Sequence, residues 1–119
     1  MVAELKQHAA TIRKAMVQSG ELHATGDLQS LNQIVRWIQT KEEHCDKIIH
    51  TVGYYCLCQR VKQEVFASPS DFVDALKAHH AVMQAAMKAK QTMDAAGCDA
   101  LDHALGDMAK MYIKEWADT

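Results

Sequence analysis

Ser68-Pro69-Ser70-Asp71 holds the only proline among 119 residues, and its reading decides the fold. A proline is tolerated at the first position of a helix, where its missing N–H has no partner in any case. Ser68 before it is a capping residue, and Asp71 puts an acid in the first turn, as the helix dipole prefers. The residue most damaging to a helix therefore starts one. Five glycines in the whole chain leave little material for the turns of an all-β fold. The expectation is an all-α protein, an antiparallel bundle of four to five helices forming a single domain over residues 1–119.

Downstream of Pro69, the residues Phe72, Leu76, His80, Met83 and Met87 recur at three or four and define one helix face, widened by Val73 and Ala86. Lys88 and Lys90 suit the end of this helix, and Gly97 is its expected stop. A last helix is expected from near Asp99 to Ala117, with Leu101, Leu105, Met108, Tyr112 and Trp116 as its buried stripe.

Upstream, Leu5, Ala9, Ile12 and Met16 mark a first helix over residues 2–18, stopped by Gly20 and followed by a connector over 20–26. Asp27 is a good N-cap for a second helix. Leu28, Leu31, Val35 and Ile38 then form a heptad-like seam that continues through Glu42, Cys45, Ile49, Val52 and Cys56. Unbroken, such a helix would cover residues 28–66 and reach about 58 Å, beyond the roughly 35 Å of a compact domain this size. Thr40-Lys41-Glu42-Glu43 matches a capping box, so a break near Thr40 is the preferred reading and the long helix the alternative. Residues 48–58 are apolar on nearly every side. With no second strand-like run to pair with, they are expected to form a buried helix.

Hydrophobic residues at 49% and charged ones at 24% are ordinary for a soluble globular domain. A net charge of −2 with scattered basic residues gives no electrostatic footprint for duplex nucleic acid. The first residues lack the apolar run of a signal peptide, and no stretch approaches a membrane span. Cys45, Cys56, Cys58 and Cys98 then read as free thiols, so a cytoplasmic location is expected, with no membrane or nucleic-acid partner.

Seven histidines call for a metal test. His80, Met83 and Met87 share a helix face, and imidazole with thioethers suits copper(I). Core packing by flexible methionines is the plainer reading. His79 and His103 complete the set of weak metal candidates. His44 and His50 point about 120° apart on a helix, Cys56 and Cys58 diverge likewise, and no C-x-x-C, H-x-x-x-H or E-x-x-H motif is present. The expectation is therefore no metal, no cofactor and no catalytic residue. Cys45 and His44 make no nucleophile pair, because neighbours on a helix do not face each other. Asp102 and Asp107 would repel phosphate from His103.

The ending His103-Ala104-Leu105-Gly106-Asp107, followed by Tyr112, is superficially similar to hemerythrin-like oxygen-binding bundles. The pattern departs from that family residue by residue. Tyr54 stands four after His50, where the family has a bridging glutamate. Met83 and Gln84 stand four after His79 and His80, where it has histidine. His103 and Asp107 are four apart, one short of its spacing. The function does not carry over.

What remains is apolar surface. Trp37 lies off the seam beside Ile34 and is a plausible interface anchor. Leu31, Ile34, Trp37 and Ile38 are expected to bury against a protein partner, a second copy in a homodimer or another protein. The function expected on these grounds is non-enzymatic, a small adaptor or regulator such as an antiactivator of a transcription factor or a chaperone. The alternative is a metal- or haem-binding bundle using histidine and methionine ligands.

Overall fold

The computed structural model describes residues 1–112, and among them every regular element is helical. Helix α1 spans Val2–His23. Helix α2 spans Leu28–His50 and starts where expected: the Asp27 carboxylate accepts the Ser30 N–H at 2.7 Å. The tight turn before it uses Gly26 at φ 70, a conformation that a Cβ would strain. Helix α3 spans Pro69–Gln91, with Pro69 in its first turn and Ser68 Oγ accepting the Asp71 N–H at 3.1 Å. Helix α4 spans Ala95–Ala109.

Contacts between helices give their directions. His8 meets His44, while Lys14 further along α1 lies by Trp37, so α1 and α2 are antiparallel. Lys41 reaches Lys90 and Gly53 faces Met83, so α2 and α3 are antiparallel. Arg13 pairs with Asp102 and Met16 with Cys98, so α4 runs against α1. The result is an up-down-up-down bundle with a core that includes Leu5, Ile12, Ile48, Val82, Leu101 and Met108.

The preferred break at Thr40 is absent. Thr40 Oγ1 donates back to the Arg36 carbonyl at 3.1 Å instead of capping a new helix. Helix α2 runs on without interruption into a π-helical segment, Thr51–Arg60, so the long-helix alternative describes the chain better. Residues 48–58 are helical as expected, but two-sided. Val52 and Cys56 are fully buried, whereas Tyr54 and Tyr55 face solvent.

Other expected boundaries move. Gly20 does not stop α1, because one glycine costs a helix only about 1 kcal/mol, and the helix reaches His23. Gly97 does not close α3, which ends at Gln91. It is buried in the first turn of α4, with Ala89 of α3 close enough to touch an added Cβ. Asp94, not Asp99, caps α4, accepting the Ala96 N–H at 3.0 Å. Trp116 lies outside the described residues.

The stripe on α3 is displaced by one residue. Ala75, His79, Val82, Ala86 and Ala89 face the core, while Leu76, His80 and Met87 are exposed. Small residues win because α3 packs closely against its neighbours. The seam on α2 also divides in two. Cys45, Val52 and Cys56 are core, but Leu28, Leu31 and Val35 are exposed. The geometry explains this. Lys41 already sits level with the end of α3, and Ile38 still lines a groove with Met87 and Thr92, so it is residues 28–35 that run past α3 and lie beside the end of α1. That overhang stretches the molecule to 57 × 26 × 21 Å.

Lys41 is buried at the shoulder of the overhang. Its ammonium donates to the carbonyls of Lys90 at 2.8 Å and Thr92 at 2.6 Å. It thereby satisfies acceptors at the end of α3 that the helix cannot satisfy itself.

Candidate functional site

Two pairs built on histidine carry the unusual polar geometry of the bundle. The first is buried. His79, on the core face of α3, places Nδ1 2.7 Å from the Ala75 carbonyl and Nε2 2.7 Å from Tyr112 Oη. A carbonyl only accepts, so Nδ1 carries the proton, Nε2 is bare, and the Tyr112 hydroxyl donates to it. Burial holds the His79 pKa below its ordinary value, although the Ala75 carbonyl works against the shift. The Arg60 guanidinium lies 5.1 Å from the Tyr112 ring centre.

The second pair, His8 on α1 and His44 on α2, is half-buried. The two Nδ1 atoms are 2.8 Å apart, with ring centroids 4.9 Å apart and the rings tilted by 56°. Burial lowers the pKa of both, and Lys47 adds to this in each. The charge of His44 also lowers His8, while Glu4 opposes the shift at His8 and Glu43 at His44.

The expected metal candidates do not gather. His79 is committed to Ala75 and Tyr112 in the core. His80 and Met87 are exposed on α3, and Met83 packs toward Gly53 of the π-helical segment. His103 is exposed on α4, with Nε2 3.4 Å from its own Asp107. Among the described residues, no three of His, Cys, Asp and Glu converge as a metal would require.

Of the expected partner-binding residues, Leu31 is exposed on the overhang, while Ile34, Trp37 and Ile38 are half-buried. Trp37 lies beneath Lys14, whose Nζ is 5.9 Å from the ring centre. The His8–His44 pair was missed in the sequence because its members are 36 positions apart. Only the antiparallel pairing of α1 and α2 brings them together.

A family model described as nickel-containing superoxide dismutase matches residues 2–116, nearly the whole chain. The chain belongs to that family. No curated protein and no solved structure matches it. Membership overturns the expectation of a non-enzymatic adaptor or regulator, because the family is one of enzymes. Composition and spacing could not reveal this, since no ligand motif stands in the sequence. Among the described residues, no helix is long and apolar enough to cross a membrane.

The described residues bring together no donor set for a nickel centre. Cysteine sulfur ligates metal as thiolate, and three of the four cysteines are packed into the core, where burial pushes the Cys45 thiol up to about 11 and the Cys98 thiol up as well. Cys98 Sγ donates to Met16 Sδ at 3.3 Å, and buried Cys56 lies 3.9 Å from Met1 Sδ. Cys58 is exposed. These are inert core thiols and one at the surface, not a donor set.

Proposed function

We propose that this chain is the helical domain of a superoxide dismutase, an enzyme that converts two superoxide anions and two protons into dioxygen and hydrogen peroxide. The observation that carries the reading is the family match over residues 2–116, which takes in all four helices and not merely one segment. Since the described residues do not fit the family's nickel, its ligands are assigned to none of them, and no step is routed through the ion. The bundle's part is structural. It supplies a rigid core tied by the His79–Tyr112 and Lys41 bonds, on which a reactive centre can be held. Cysteines that form no disulfide support a reducing compartment such as the cytoplasm.

The test is the rate of superoxide disappearance with the full chain, purified without an affinity tag and supplied with equimolar nickel. The expected result is a rate well above that of the same nickel in buffer. Folded protein that adds nothing to the nickel blank would overturn the reading.

A further inference from the structure

His8 and His44 bring two imidazoles from neighbouring helices together outside the core, with both Nδ1 atoms turned to each other. Two imidazole nitrogens bound to one metal at about 2.0–2.1 Å, at right-angled to tetrahedral geometry, stand about 2.9–3.4 Å apart. The two Nδ1 atoms stand 2.8 Å apart. The separation of the two donor atoms is thus within a few tenths of an ångström of what a shared metal requires, and the rings need only turn to aim both lone pairs at it. Both rings are anchored on packed helices: His8 lies between buried Leu5 and Ile12 on α1, and His44 precedes fully buried Cys45 on α2. We propose that His8 and His44 form a two-histidine site for a divalent late transition-metal ion, Cu²⁺ above the others, bound through both Nδ1 atoms with water in the remaining positions. The proposal does not depend on the proposed dismutase activity.

The metal-free pair is held by one shared proton, since one Nδ1 must donate and the other accept. On binding, that proton passes through solvent to the donor ring's own Nε2. Both rings stay neutral, two N–metal bonds form, and two metal-bound waters leave. The low basicity of both imidazoles assists, because ligation needs the neutral ring. Glu4, one turn before His8, favours a cation and Lys47 opposes it. Imidazole donors and the ordinary order of divalent affinities favour Cu²⁺ over Ni²⁺ and Zn²⁺.

The experiment is calorimetric titration of the untagged full chain with Cu²⁺, in wild type, His8→Gln, His44→Gln and, as a control for exposed histidines, His80→Gln. The expected result is one equivalent whose affinity falls at least tenfold in either pair variant and is unchanged in His80→Gln. Pair variants that titrate as wild type does would overturn the proposal. If either variant fails to fold by circular dichroism, electron paramagnetic resonance of the wild type at one equivalent decides. Two equatorial nitrogens support the site, and fewer contradict it.

Discussion

His79 Nε2 and Tyr112 Oη meet at 2.7 Å inside the bundle, tying the middle of α3 to the residues just beyond α4. Because Nδ1 is spent on Ala75, the bare Nε2 has the tyrosine as its donor. Tyr112→Phe keeps the ring and removes that donor, leaving a buried acceptor unpaired. The expected cost is about 1–3 kcal/mol, read as a lower urea midpoint with an unchanged slope. An unchanged midpoint would mean that water replaces the hydroxyl.

Acid should weaken the fold in a defined window. His8, His44 and His79 all have folded pKa values below the ordinary 6.5, so the unfolded chain binds their protons more readily. Their contribution is intact above about pH 6.5 and is lost as the pH falls below it toward the depressed values. The urea midpoint should therefore drop between pH 7 and pH 5. A midpoint that is flat or rising across that interval would contradict the assignment of neutral rings.

Lys41→Met keeps most of the buried volume but removes the donor to the Lys90 and Thr92 carbonyls. The end of α3 should fray. The expected loss is about 1–3 kcal/mol, with amide exchange accelerated in the last turn of α3 and not in α1. Exchange that stays unchanged there would show the lysine to be dispensable as a cap.

Ser19 is buried on α1, and its hydroxyl has no partner among the described residues. Ser19→Ala removes that unsatisfied group and improves helix propensity, so the protein should gain about 1 kcal/mol. Thermal unfolding checks this through a raised midpoint. A lowered one would reveal a water-mediated bond at Oγ.

Features set by neighbouring residues were legible in the sequence. Ser68-Pro69 and Asp27 start helices because capping is a matter of three consecutive positions. Leu5, Ile12, Leu101 and Met108 are core because their helices bury their largest side chains. Helix α3 defeats that rule. Its close packing selects Ala75, Ala86 and Ala89 and leaves Leu76 and Met87 at the surface, a choice made by the neighbouring helices. The same holds for Leu28 and Leu31, whose apolar pattern implies a covering that α3 is too short to provide. The His8–His44 pair is a product of tertiary pairing alone. The enzyme family left no ligand motif to read.

The most direct test is superoxide dismutation by the untagged protein supplied with equimolar nickel, measured in wild type and in the His8→Gln/His44→Gln double variant. The account expects both folded proteins to dismute superoxide faster than the nickel blank, because the dismutase reading does not rest on the histidine pair. A folded wild type no faster than the blank would contradict it, and so would a loss of activity confined to the double variant.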